Sequence, residues 1–318
     1  MRFETSSHHA AIKDTIATEN ANPSIIDFGE TLAHKSPYKA SWLSQFSTLL
    51  QRSFVSIMRE PLVVKVRTFQ TVFVALLLGL VYLQQDLDQE GIQNITGVLF
   101  LFCTNMTFQN LFAVINVFCE ESLVFMREHF NGCYRVDTYY LSKMIAEVPF
   151  FIFIPMLFTL ILYWMIGLYS SASAFFTCMA LVVLVTNVAT SFGYMISCIS
   201  VDPQLTFTVA SPLLIPLLIF GGYYLNAESI PVYFIWLQYL SWFKYANEAL
   251  NINQWINIDS IECGTNNRSC IRTGEEVLDQ FNFKKDNMGF DIGLLFVLIF
   301  GYRLIGYLLL LLRTRKSN

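Results

Sequence analysis

Charge is scarce in this sequence: Asp, Glu, Lys and Arg make up 14% of its 318 residues, against about 25% in ordinary soluble domains. Histidine is scarcer still, with His8, His9, His34 and His129 the whole supply. None of them falls in a long apolar run, so no histidine metal cluster can form at membrane depth. None of the 15 glycines is followed by lysine, which excludes the phosphate-cradling G-x-x-x-x-G-K-[ST] loop. Neither G-x-S-x-G nor H-E-x-x-H occurs. The common routes to hydrolysis are therefore absent, and we expect no catalytic residue, metal site or cofactor in this chain. The net charge of −4 and the lack of a basic run argue against a nucleic-acid partner. The first 20 residues are polar and of mixed charge, unlike a secretory signal peptide. The first true span must then serve as its own insertion signal.

Apolar residues are what the chain has in excess. They form 54% of it, 29 of them phenylalanine, and the mean hydropathy is +0.49. The polar remainder could not cover so much apolar surface in water; a bilayer suits it. A crossing needs about 20 mostly apolar residues as helix, because no water satisfies the backbone there. Six such stretches are present: 62–83, 97–118, 145–166, 174–199, 205–225 and 291–312. The fold class is thus an all-α membrane protein of six transmembrane helices, with membrane lipid as its surroundings.

Lysine and arginine near the span ends orient it. Lys39, Arg52, Arg59, Lys65 and Arg67 precede or open the first span, while the connection 84–96 has Asp86, Asp88 and Glu90 but no basic residue. Arg127, Arg135 and Lys143 return in 119–144, and Arg313, Arg315 and Lys316 close the chain at 313–318. Both termini are expected in the cytosol. The long connection 223–290 then lies outside or in a lumen. It carries Cys263 and Cys270 with the sequon Asn267-Arg268-Ser269 between them, and a disulfide or a glycan at Asn267 requires that side.

Ahead of the first span, Trp42, Phe46, Leu49, Leu50, Phe54 and Ile57 recur at three- and four-residue steps, with Gln45, Gln51, Arg52 and Arg59 between them and Pro61 as the stop. This predicts an amphipathic helix over 41–61, lying along the cytosolic membrane surface. Residues 1–40 have no sustained period and read as a linker.

Several polar groups fall at bilayer depth. Span two holds Asn105, Thr107, Gln109, Asn110 and Asn116; such side chains turn either to a wet path or to a partner helix as packing glue. Glu147 lies near one end of span three and Arg303 part-way along span six, about 10 Å apart in depth at ~1.5 Å per residue. An unpaired charge at depth is costly, so the expectation is an intramembrane Glu147–Arg303 pair, or else a separate hydrogen-bonded partner for each.

From about Tyr38 to Arg315 the chain resembles the membrane domain of G-subfamily ABC half-transporters, the eye-pigment type in particular. The carrying runs include Glu60-Pro61-Leu62-Val63-Val64-Lys65-Val66-Arg67, Phe100–Asn116, Ser191-Phe192-Gly193-Tyr194, Phe220-Gly221-Gly222 and Leu240–Glu248. The resemblance implies an ABC-2 type domain that pairs with another half-transporter protomer, as a homo- or heterodimer. It implies a nucleotide-binding domain, in cis or in trans, that takes ATP and Mg and is not encoded in these residues. It also implies a substrate path between spans two and five, through Asn105, Phe108, Gln109, Asn110, Leu214 and Leu218. Tyr223 and Tyr224 stand where the family has a leucine pair as an outer gate; the alternative is a pair of interface-belt tyrosines. Phe125, Glu128, Gly132, Tyr134 and Arg135 match the family's short coupling helix, which would press on the nucleotide-binding domain. The expected function is the membrane half of an ATP-driven transporter for tryptophan- or guanine-derived pigment precursors, in a pigment-granule, vesicle or plasma membrane. The alternatives are a sterol or lipid exporter, or a truncated subunit that regulates a full-length partner. Residues 1–40 are expected to be the tail of a connection from the absent domain.

Overall fold

The computed structural model describes residues 38, 40–59, 61–200, 202–225, 232–263 and 270–316. The chain divides after Ser41. Of the first unit only Tyr38, Ala40 and Ser41 are described, as bends and coil; the rest of the expected linker, like the sequon residue Asn267, lies outside the described residues.

The second unit is all helical, with no strand among the described residues. Its helices are α1 (Trp42–Arg59), α2 (Pro61–Val81), α3 (Gln89–Phe130), α4 (Val136–Ile166), α5 (Ala172–Ser197), α6 (Pro203–Ile219), α7 (Ile235–Leu240), α8 (Trp242–Trp255), α9 (Gly274–Gln280) and α10 (Met288–Lys316). Helices α2, α3, α4, α5 and α10 are long and apolar enough to cross a bilayer. They make this an integral multi-pass membrane protein. Helix α6 falls where the fifth span was expected and is a shorter apolar helix. It runs 17 residues, about 26 Å at ~1.5 Å per residue, and stops before the predicted end at 225. Three residues past its end Gly222 takes a φ of +79°, a left-handed turn that glycine adopts without strain.

The largest departure from expectation is α3. Apolar content placed a span at 97–118, but the helix runs unbroken for 42 residues, about 63 Å, and continues well past the apolar segment at both ends. Asp88 caps its start, its carboxylate accepting from the Gly91 N–H at 2.6 Å. After Phe130 a five-residue turn leads directly into α4 at Val136. No separate short coupling helix forms there. Residues 119–144 make an elbow between two long helices.

Helix α5 sits in the middle, packed on α3, α4 and α10. A Cβ at Gly306 of α10 would lie 2.6 Å from the Tyr140 hydroxyl and 3.2 Å from the Met195 Cα, so glycine there is what lets α10 come against α4 and α5. Helix α2 packs on α4, leaving Leu62, Phe69, Phe73 and Leu80 exposed along one stripe. Such a stripe is stable only against lipid or another apolar surface. Helix α1 packs along α4 with Gln45 and Leu49 buried, while Leu43, Phe54 and Met58 stay exposed. At the opposite end α8 inserts among α3, α5 and α10 and is buried along most of its length. The end carrying α1 and the α3–α4 turn is called the elbow end below; the other is the loop end.

Candidate functional site

The elbow is held by an aromatic stack and by α1. Phe125 is buried and stacks on Tyr139 with ring centroids 4.2 Å apart. Glu128 accepts from the Tyr134 hydroxyl at 2.5 Å and from the Arg52 guanidinium at 2.8 Å. That hydrogen bond raises the Arg52 pKa; burial, followed by the bond to Glu128, raises that of the Tyr134 phenol. The Arg135 N–H donates to the Gln45 side-chain oxygen at 3.2 Å, and the Trp42 indole N–H to Asp137 at 3.0 Å. Gly132 turns the chain with φ +71°. The five residues matched to a coupling helix therefore do come together, and α1 clamps them through Trp42, Gln45 and Arg52. Periodicity alone predicts α1 only as a surface helix. Its contacts with residues 76 to 95 positions away leave no local signal.

The expected Glu147–Arg303 pair does not form, and each residue has its own partner. Glu147 accepts from Lys143 Nζ at 2.8 Å and from the Tyr194 hydroxyl. Arg303 donates through Nε to Ser191 Oγ at 3.0 Å. The depth offset explains the separation, and nearer partners exist for both. Lys143 sits one helical turn before Glu147 and also holds Glu121 at 2.6 Å, with its own side chain only 1% exposed. The Lys143/Glu147 spacing of four is a local cue for this pair.

The polar load of span two splits between two directions. Asn105 and Phe108 are half-buried, and Asn105 has no side-chain hydrogen bond to another described residue. Phe108 packs on Phe112, whose ring meets Phe207 of α6 edge-on at 5.4 Å. Gln109 instead turns to span one, donating to Thr71 Oγ1 at 2.8 Å. Asn110 is buried, donates to the Met106 carbonyl at 2.9 Å, and faces a cleft lined by Arg67, Glu121 and Glu147. Of the α6 pair, Leu214 is fully buried and Leu218 packs against the core. The six residues thus do not line one path within a protomer. Asn105 and Phe108 share a partly open face with α6, whereas Gln109, Asn110 and Leu214 point into the bundle.

At the loop end Tyr223 stacks on Phe100 at 4.9 Å and Tyr224 meets the same ring edge-on at 5.5 Å. The Tyr223 hydroxyl lies 2.9 Å from where a Cβ of Gly97 would be. The two tyrosines therefore pack at the loop end against the α3 segment around Gly97 and Phe100 as one aromatic cluster, with Tyr224 the exposed member. Cys263 and Cys270 form a disulfide, their Cα atoms 6.0 Å apart. Beside it the Gln89 amide grips Ile271, donating to its carbonyl at 2.8 Å and accepting from its N–H at 3.2 Å. The disulfide segment is thereby tied to the first turn of α3. Among the described residues no group of His, Cys, Asp or Glu could hold a metal.

Spanning helices, a helical elbow clamped by an amphipathic helix, and a disulfide-bearing segment before the last span define a transporter-type membrane domain. Residues 44–255 match the family model of the ABC-2 type transporter, and the chain belongs to that family as a membrane domain. It is 51% identical over 283 residues to protein white of Drosophila melanogaster, covering 88% of this chain and 41% of that protein. It is 36% identical over 288 residues to the ABC transporter ATP-binding protein/permease wht-1 of Caenorhabditis elegans, covering 88% of this chain and 43% of that protein. Protein scarlet of Drosophila melanogaster is 33% identical over 279 residues, covering 87% of this chain and 42% of that protein. The chain spans less than half the length of these relatives.

Proposed function

We propose that this chain is the membrane half of an ATP-driven half-transporter, that it works as a dimer, and that it moves small flat heterocycles of the tryptophan- or guanine-derived kind. The carrying observation is the side of α3 that meets α6, where Asn105 and Phe108 stand half-buried and Phe112, on which Phe108 packs, meets Phe207 of α6 edge-on. An amide without a protein partner next to an aromatic ring at bilayer depth is costly unless something polar meets it. A second protomer facing it across a path would supply that, and an amide–aromatic pair suits stacking and hydrogen bonding of a flat ring. Nucleotide chemistry would fall to an ATP-binding domain, in keeping with wht-1 being an ATP-binding protein as well as a permease. In this reading the elbow end is cytosolic, as are both termini. The elbow receives the motion of the ATP-binding domain, and the disulfide segment with Asn267 lies in the lumen or outside the cell.

The test is ATP-dependent uptake of labelled tryptophan and guanine into inside-out vesicles. They would carry the full-length protein that contains this chain, with and without a second half-transporter. Asn105→Ala and Phe108→Ala should each lower uptake at least tenfold without changing the amount of protein in the membrane. Uptake indifferent to both substitutions would remove the shared face as the path. If this chain alone suppressed the uptake of a full-length partner, it would be a silencing subunit instead.

A further inference from the structure

A cleft inside the protomer, at the elbow end between α1, α2, α3 and α4, is mostly apolar but holds five polar side chains: Ser56, Arg67, Asn110, Glu121 and Glu147. Their charges are arranged unevenly. Lys143, buried behind the cleft, contacts both carboxylates, at 2.6 Å and 2.8 Å, and Tyr194 adds a hydroxyl to Glu147. One lysine serves two carboxylates, so one negative charge is left over. Arg67 feels Glu147 electrostatically across the cleft but has no ion pair within 4.0 Å and no side-chain hydrogen bond among the described residues, so its guanidinium has no direct partner. Glu121 is the carboxylate that stays open, with its side chain 39% exposed, and Asn110 uses its amide N–H on the Met106 carbonyl. The free valences facing the cleft are a guanidinium, a partly used carboxylate and an amide oxygen, beside the apolar walls of Val64, Val117, Phe150 and Ile154.

This combination selects its ligand by charge. A simple anion would meet Arg67 but also two carboxylates, and a simple cation would meet Arg67 as a like charge. A neutral apolar molecule would leave the guanidinium without a partner in low dielectric, which is costly. A molecule that carries both charges on one small head and an apolar body satisfies all of it. We propose that this cleft is a binding site for a zwitterion of the amino-acid type, its carboxylate on Arg67, its ammonium on Glu121 and Asn110, and an aromatic or branched body against Val117, Phe150 and Ile154. The site lies within one protomer, is separate from the α3–α6 face, and needs neither ATP nor a dimer. A zwitterionic phospholipid head such as phosphatidylethanolamine offers the same chemistry from the bilayer.

Equilibrium binding to the purified full-length protein in phosphatidylcholine nanodiscs, without nucleotide, tests this. The probes are L-tryptophan, tryptamine, indole-3-propionate and added phosphatidylethanolamine. Tryptophan should bind at least tenfold more tightly than tryptamine, which lacks the carboxylate, and than indole-3-propionate, which lacks the ammonium. Arg67→Gln should reduce tryptophan binding to the tryptamine level, and Arg67→Lys should restore part of it. Ile154→Trp fills the cleft without touching its charges and should abolish binding while the protein keeps its melting temperature, which guards against a folding defect in Arg67→Gln. Equal binding of tryptophan and tryptamine, or unchanged tryptophan binding in Arg67→Gln and Ile154→Trp, would overturn the assignment. Phosphatidylethanolamine displacing tryptophan in proportion to its mole fraction would identify the lipid head as the natural occupant of the same site. Lost vesicle uptake with intact tryptophan binding would count against the transport reading alone.

Discussion

Lys143 offers the sharpest test of how the elbow end is held together. Its side chain is 1% exposed and is the cation shared by Glu121 and Glu147, whose side chains are 39% and 10% exposed. Lys143→Met keeps the length and the apolar stem but leaves two carboxylates facing each other with no cation between them. Glu147 is the costlier of the two because it is nearly buried. Removing one partner of a buried ion pair destabilises by about 3–5 kcal/mol. The exposed pair Arg52–Glu128 sets the scale at the other extreme, where a loss of about 1 kcal/mol or less is usual. Unfolding of the purified protein by SDS titration in mixed micelles can compare Lys143→Met, Arg52→Gln and the double variant Lys143→Met/Glu147→Gln. We expect a large loss in the first, a small loss in the second, and recovery of more than half the first loss in the third. The third variant removes the stranded charge along with its partner. If Lys143→Met behaves like Arg52→Gln, the pair is hydrated and the account of the elbow end given above is wrong.

Exchanging the charges of Glu147 and Arg303 should not restore expression lost in either single reversal, because they bond to Lys143 and Ser191 instead; rescue on an immunoblot would contradict these contacts. Gly97→Ala should destabilise the loop end by about 1 kcal/mol through overpacking. Adding Tyr223→Phe should relieve this, since the hydroxyl at 2.9 Å goes and the next ring atom is 3.7 Å away; a thermal melt of the two variants decides. Cys263→Ser with Cys270→Ser should cost about 2.5 kcal/mol for so short a loop. It should also make the Gln89–Ile271 contact exchange amide protons faster, and unchanged exchange at Ile271 would show that Gln89 holds the segment without the disulfide.

Long apolar runs carry their own instruction, because a backbone in lipid must satisfy itself as helix. For that reason the spans of α2, α5 and α10 were legible to within a few positions, and α4 at its C-terminal end, although its helix begins nine residues before the expected start. The same property hid the true extent of α3. Its polar ends have ordinary helix-forming composition, and nothing local distinguishes a helix that continues out of the bilayer from one that stops at its surface. The disulfide pair was legible because two cysteines seven apart flank a sequon in the one long connection. The aromatic cluster around Phe100, Tyr223 and Tyr224 was legible only as separate residues.

Composition and periodicity thus determined by themselves that the chain is a helical membrane domain with an amphipathic helix ahead of it, and which residues are polar in apolar surroundings. Partner choice was left to the tertiary structure. A buried charge takes the nearest group that can meet it in three dimensions, so Glu147 went to Lys143 and Tyr194, and Arg303 to Ser191. Helix rotation likewise sent Gln109 to Thr71 and Asn110 into the Arg67 cleft, while Asn105 and Phe108 stayed toward α6. Neighbours along one helix differ by about 100° in direction, and only the packing of the other helices says what lies in each direction.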